Sequence, residues 1–437
     1  LADDLTGACA TGALVCRRGG KAPVWLAQAP QGNIHLPDGS VGIVDLDVRF
    51  APPELAAQWV GDWWRSLRAT WDGPMGLRID STLRGPIGAV IRAVLAGDIH
   101  CGAVLTPAFP ESGRTTRGGR HFVYGRPVSQ TEVAHDPWTP VHTDDVRELI
   151  HGQLGESAAL LPLSVVRAGS AAIAAALDAL PERVVVADAE TNADIEALAA
   201  AMGSLWKRAR REASARTRQW LPVDPGPLSA AYAACVYGFA AGRTGEWVGG
   251  WCRAYDGGYA QPAPRQGQQY EVRCGPPVLA VCGSLMETAR RQLSMLARLP
   301  GVQVIVLPAG EALAHVRMLH EHVRRRWLPD TVVLVVATPP VLGADPAVVA
   351  PAVAGLTQVL WSEVPFAGCY LSGGDIAAHT LRALGVTRLD IEMEVLPLAV
   401  RSRLVDGPFA GRPIVTKGGA VGGQDAMIRC IAALQQA

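Results

Sequence analysis

Lysine is nearly absent: Lys21, Lys207 and Lys417 are the only three in 437 residues, and every other basic side chain except histidine is arginine. A GC-rich coding bias accounts for this. It also means that a lysine kept inside a glycine-rich turn is less of an accident. Net charge is lacking as well, with 40 Lys+Arg against 40 Asp+Glu, which argues against nucleic acid or an anionic membrane as the main partner. Cysteine pairs are missing: Cys9, Cys16, Cys101, Cys235, Cys252, Cys274, Cys282, Cys369 and Cys430 are scattered, with no C-x-x-C. That pattern reads as reduced thiols rather than a disulfide framework or a zinc site. The longest apolar stretch, around 331–342, holds two prolines and is too short to span a bilayer. No signal peptide is visible, and a cytoplasmic location is expected; the sequence opens at Leu1-Ala2-Asp3-Asp4, as if inside an element. Finally, there is no P-loop, no G-x-G-x-x-G and no protein-kinase signature, so no standard motif fixes a nucleotide class.

What is present is a long globular chain, 49% hydrophobic and 18% charged, sized for two or three domains. Short β-branched runs alternate with Ala/Leu-rich helical patterns, which predicts parallel α/β layers. Strands are expected to end near Leu1, Trp25, Val44, Ile79, Leu105 and Ala187, several followed at once by polar clusters: Asp3-Asp4, 45–49, 80–84, 106–114 and 188–190. Ligands in open α/β sheets sit beyond the carboxyl ends of strands, so a site would be built from these clusters. From about 221 to 277 the periodicity fades, and a second α/β block follows. The expected division is 1–225, a connector at 226–276, and 277–437.

The second block carries three strand–glycine turn–helix units: Gly283-Ser284, Gly373-Gly374-Asp375 and Gly418-Gly419-Ala420-Val421-Gly422-Gly423, the last preceded by Lys417. Glycine lets backbone N–H groups approach an anion, a helix N-terminus adds partial positive charge, and Lys417 could supply a point charge for a polyphosphate. Any one such turn is more simply a tight βα connection; three together favour a nucleotide. In the first block, Arg84 and Arg114 lie in turns just past strands and could each grip a carboxylate with a bidentate fork. Asp3 and Asp4 could hold sugar hydroxyls, although Asp4 alone is more simply a helix cap. Trp59, Trp63 and Trp64 fit a helix packed on a sheet. No metal site is expected, since His315, His320 and His322 lack i, i+4 spacing.

In order and spacing these strings resemble the four-carbon acid sugar kinase family: Ala2-Asp3-Asp4-Leu5-Thr6-Gly7-Ala8, 79–88, 107–119 with Asp136-Pro137, 186–194, Gly283-Ser284 with Gln292, Ser372-Gly373-Gly374-Asp375, and Thr416-Lys417-Gly418-Gly419. The resemblance implies two Rossmann-like α/β domains with mainly parallel sheets, one for the sugar acid and one for ATP, with the reaction in an interdomain cleft. It also implies γ-phosphoryl transfer to the terminal hydroxyl of D-threonate, D-erythronate or 3-oxo-tetronate, with Mg²⁺ neutralising charge. By motif, Asp4, Asp80, Arg84 and Arg114 correspond to acid-binding residues. Ser284, Gly373, Gly374, Asp375, Lys417 and Gly418 correspond to the ATP site. Asp375 could accept the hydroxyl proton, or contact metal or nucleotide instead. The partners implied are small molecules, and a homo-oligomer is compatible with them. The chain departs from the family at Ala10, Leu46, Leu77, Arg78, Ile376, Leu398 and around Asp224 to Leu228. Ala10 and Leu77 are expected to remove polar groups from the acid pocket. A decayed paralogue that only binds a sugar acid or nucleotide, as a sensor or partner, is therefore the alternative to a working kinase. A dinucleotide-dependent oxidoreductase is disfavoured for want of a fingerprint.

Overall fold

The computed structural model describes residues 1–27, 34, 36, 39–98, 100–136, 138–212, 218–239, 275–284, 286–419 and 421–435. Two compact units divide the chain: Leu1–Ala22 with Ala27–Tyr259, and Pro23–Leu26 with Ala260–Ala437. Each is α/β.

In the first unit five parallel strands lie side by side in the order Leu77–Arg78, Gln219–Asp224, Cys101–Leu105, Val184–Ala187 and Ala159–Leu161. Side chains alternate across a strand, and the sheet divides accordingly. Cys101, Ala103 and Leu105 face a core built with the helices Pro53–Arg68, Ile87–Gly97 and Val146–Leu154. Val104, Val185 and Trp220 face a second core with Asn192–Glu212 and Pro227–Tyr237. Trp63 and Trp64 are buried in the first of these cores, with Trp59 packed against it, so the aromatic helix is indeed a packing element. A small antiparallel sheet, Arg114–Arg117, Arg120–Val123 and Arg126–Pro127, grows from the same unit.

The segment read as a connector begins as structure of this unit. Helix Pro227–Tyr237 buries Leu228, Ala231 and Tyr232 in the second core; residues 240–274 lie outside the described residues. The strand before it, Gln219–Asp224, is disguised by Pro222, which argues against a central strand. Pro222 is tolerated because its neighbour on that side starts later: pairing begins only at Val223 with Leu77.

In the second unit the strand order is Val302–Val306, Val333–Ala337, Val278–Cys282, Cys369–Ser372, Pro413–Lys417, Ala399–Leu404, Arg388–Leu396 and Pro23–Leu26. The first five are parallel; the last three run as antiparallel additions. The expected strand ending near Trp25 thus belongs to this sheet and not to the first. Helix Ala426–Leu434 covers its core with Met427, Cys430 and Ile431. No helix among the described residues is long and apolar enough to cross a membrane.

Candidate functional site

The polar clusters of the first unit meet beyond the carboxyl end of its sheet. Asp3 and Asp4 follow Ala2, which bridges to both Asp45 and Arg78, so the chain is pinned before the helix Leu5–Arg17 begins. Asp4 caps that helix by accepting from Gly7 N at 2.9 Å, as the simpler reading of the sequence had it. Its carboxylate does more than cap. Arg49 reaches Asp4 with Nη1 (2.7 Å) and Nη2 (2.6 Å) and Asp3 with Nε (2.8 Å) and Nη2 (3.1 Å). Arg78 Nη1 lies 2.7 Å from Asp3 and 2.6 Å from Asp4. Gly7 is needed for this approach: a Cβ there would stand 1.7 Å from the Arg78 guanidinium carbon.

Asp80 sits where Leu77–Arg78 ends, in a turn that places Leu83 at φ +67. That left-handed conformation costs a branched residue about 1–2 kcal/mol, offset here by the burial of Leu83. The turn brings Arg84 back onto Asp80, Nε at 2.9 Å and Nη2 at 3.1 Å, while Nη1 reaches Asp136 at 3.2 Å. Thr82 also donates to Asp80, and Arg49 stands 3.7 Å away. Burial works against the charged carboxylate, but Arg84 and Arg49 outweigh it and hold Asp80 well below the usual range. Four carboxylates (Asp3, Asp4, Asp80, Asp136) thus face three guanidinium groups (Arg49, Arg78, Arg84) in one network.

Arg114 differs. It is 7% exposed, donates to Ser112 O, and lies 5.3 Å from the centroid of the Tyr124 ring, whose hydroxyl is 3.5 Å from Nη1. Among the described residues no carboxylate pairs with it, and its Nε is buried without a partner. Beside it, His121 is fully buried. Its Nε2 is 2.9 Å from Ser81 O, which can only accept, so Nε2 carries the proton and Nδ1 accepts from Thr116 Oγ1 at 3.2 Å. Burial lowers its pKa to about 4.

Of the departures, Leu46 and Leu77 form the apolar side of a small cavity that Asp3 and Arg78 also line. They pack with Val60 and Ile79 in the apolar core, because Leu77 and Ile79 point away from the sheet face that Arg78 and Asp80 occupy. Arg78 is part of the ion network, and Ala10 is buried within its helix. The atypical 224–228 stretch makes a strand-to-helix turn in which the Asp224 carboxylate accepts from Gly226 N (2.8 Å) and Leu228 N (2.6 Å) and from Ser229.

In the second unit the three glycine turns follow adjacent parallel strands and touch. Gly283 N donates to Ser372 O at 3.1 Å, and Gly373 N to Lys417 O at 3.1 Å. A Cβ on Gly419 would lie 2.0 Å from Ser284 Oγ, so the first and third turns abut only because that position is glycine. Gly374 opens the helix Gly374–Ala383, and Asp375 is in its first turn with a half-exposed side chain. His379, one turn on, has Nδ1 3.1 Å from Asp375 Oδ1 and 3.0 Å from its carbonyl. This pairing, chiefly the hydrogen bond to Asp375, raises the His379 pKa. Lys417 is fully buried; Nζ donates to Gly418 O at 2.7 Å and Val421 O at 3.2 Å, and burial lowers its pKa to about 8. Ala420 and Pro137, named in the motifs, lie outside the described residues. Sequence reasoning gave no role to His121, Asp136 or His379, whose partners are set by folding; the cluster at 45–49 after a strand end hinted at Arg49, and Arg78 entered only as a departure from the family pattern.

The two units correspond to two known sequence families. Residues 1–232 match the sugar-binding N-terminal domain, and 279–427 the nucleotide-binding C-terminal domain. A D-erythronate kinase of Heliobacterium modesticaldum is 33% identical over 99% of this chain and 95% of its own. The chain belongs to the four-carbon acid sugar kinase family. A D-threonate kinase of Bordetella bronchiseptica is 30% identical over 76% of this chain and 71% of its own. The fold also matches a Haemophilus influenzae protein of solved structure, with a TM-score of 0.67 at 20% identity, covering 99% of each chain. Family membership makes the three convergent glycine turns and the buried Arg114 the natural candidates for its two binding sites.

Proposed function

We propose that the protein is an ATP-dependent kinase that transfers the γ-phosphoryl group to the terminal hydroxyl of a four-carbon sugar acid of the threonate, erythronate or 3-oxo-tetronate type. The observation that carries the nucleotide half is the convergence of three glycine turns at the ends of adjacent parallel strands, where backbone N–H groups suit phosphate oxygens. The acid half is supported by Arg114, a buried guanidinium that meets no carboxylate among the described residues and suits one on a ligand.

In this reading 1–225 binds the acid and 277–437 the nucleotide. Arg114 takes the substrate carboxylate. Asp4, Asp80 and Arg84 line the acid site, their charges fixed by the ion network so that hydroxyl groups meet oriented partners. Ser284, Gly373, Gly374, Lys417 and Gly418 hold the phosphates. Asp375, at a helix start and half-exposed, accepts the hydroxyl proton as the oxygen attacks the γ-phosphorus and the bond to the β,γ-bridging oxygen breaks, releasing ADP. Among the described residues no cluster of three or more His, Cys, Asp or Glu is placed to hold a metal. Mg²⁺ would therefore be held mainly by the triphosphate, as is usual for this ion, and would neutralise its charge. The competing reading, a decayed binder, is disfavoured by the retention of Asp375 and Lys417. Asp375→Asn decides between roles: kcat should fall at least about a hundredfold while ATP affinity without acid is kept. A first-turn carboxylate that only complements the helix dipole would lose little on becoming asparagine, so near-normal turnover removes Asp375 from the chemistry.

A further inference from the structure

Helix Glu287–Leu296 buries Ala289, Gln292 and Leu296 on one stripe, where helical spacing alone predicts three apolar residues. Gln292 has no exposed surface. A buried amide is costly unless it is hydrogen-bonded, and a leucine would fill the space. Its Nε2 is instead spent on three consecutive carbonyls of the third glycine turn: Val421 O at 2.8 Å, Gly422 O at 3.1 Å and Gly423 O at 2.9 Å. Lys417 Nζ adds Gly418 O and shares Val421 O. Four carbonyls of one short turn are therefore drawn toward two buried donors.

Peptide geometry converts this into a statement about the N–H groups. The described peptide bonds are trans, and in a trans peptide the N–H points opposite to the preceding C=O. Holding the carbonyls of 418, 421, 422 and 423 inward turns the N–H groups of Gly419, Gly422, Gly423 and Gln424 the other way. Among the described residues none of these four amides has a protein acceptor.

We propose that Gln292, with Lys417, positions the third glycine turn for nucleotide phosphates by holding its carbonyls inward and leaving four N–H groups for phosphate oxygens. The inference rests on the reading of this turn as part of the nucleotide site. Gln292 is a positioning residue: it touches no ligand. Lys417 contributes its charge from beneath the turn rather than as an exposed ammonium.

The test is calorimetry on the full chain with MgATP and with adenosine, which lacks phosphates, alongside the KM for the acid. Gln292→Met keeps length and bulk but removes both donors. ATP should bind at least about tenfold more weakly, with adenosine affinity and acid KM unchanged within about twofold. Unchanged ATP affinity, or an equal loss for adenosine, overturns the proposal, since a merely structural role would weaken both alike. If Gln292→Met does not fold, Gln292→Asn, which withdraws the amide by one methylene, is held to the same ATP-against-adenosine contrast. A parent chain that binds no ATP refutes the nucleotide reading itself. A parent that binds ATP, with variants that bind it equally well, refutes only the role of Gln292.

Discussion

Arg84 and Arg114 look alike in the sequence, yet their replacement should have opposite consequences. Arg84 is the main counter-ion of the buried Asp80 carboxylate and also reaches Asp136. Arg84→Met strands Asp80 with Arg49 at 3.7 Å as its remaining ion pair. Breaking a buried pair costs about 3–5 kcal/mol, roughly a 10 °C fall in melting for a unit of this size. Among the described residues Arg114 has no carboxylate to strand. Arg114→Met loses a charged hydrogen bond to Ser112 O and the Tyr124 ring contact, about 2–5 kcal/mol together. It also relieves a buried, uncompensated charge whose burial costs several kcal/mol. The relief is comparable with the loss, so stability should hold within about 2 kcal/mol, less than the fall expected for Arg84→Met. Acid binding, in contrast, would lose a bidentate charge-assisted partner, about 2–4 kcal/mol, or roughly 30- to 1000-fold in KM. Thermal melting without ligand, followed by steady-state kinetics varying acid and ATP separately, reads both effects. An Arg114→Met protein that melts as low as Arg84→Met while its acid KM is unchanged would refute the reasoning.

Two further outcomes concern the first unit, one in the ion network and one at His121. Gly7→Ala should gain about 1 kcal/mol of helix propensity but must push the Arg78 guanidinium off Asp3 and Asp4. Arg49 still pairs with both carboxylates, so the loss falls toward the low end of the range for a broken buried pair. A net destabilisation of about 1–3 kcal/mol in urea unfolding is expected; a neutral or stabilised variant would contradict the close approach. His121 titrates near 4 when folded, below its ordinary value of 6.5, so between those values the unfolded chain binds more protons. Its contribution is fully present above about pH 6.5 and is lost as pH falls toward 4, by at most about 3 kcal/mol. His121→Gln should flatten the fall in stability over that window relative to the parent, and identical slopes would show that His121 does not titrate as its burial demands.

Much of this was legible from local signals. Asp3-Asp4 and Asp80 to Arg84 stand after strand ends, where α/β sheets build sites, and the glycine turns mark three adjacent βα connections of the second sheet. What stayed hidden depends on tertiary pairing. Nothing local tells that the Arg84 fork is spent on Asp80 and Asp136 whereas Arg114 meets no carboxylate among the described residues. Leu77 read as a lost polar group because it departs from the family pattern; strand alternation packs it into the apolar core. Lys417 read as a residue that could supply a point charge for a polyphosphate; that its ammonium is buried and donates to Gly418 O and Val421 O is set by the fold alone. Pro222 hid a central strand, and Pro23–Leu26 joined the sheet of the other unit, which no short-range pattern encodes.

The most direct test of the central claim is ADP release by the purified chain with MgATP and, separately, D-erythronate, D-threonate and a 3-oxo-tetronate. The account predicts acid-dependent ADP release with at least one of them, with a stoichiometric phosphate ester on the terminal carbon by NMR, and loss of both in Asp375→Asn. ATP and acid that each raise the melting temperature without any ADP or phosphorylated acid would contradict it and leave a binding protein in place of a kinase.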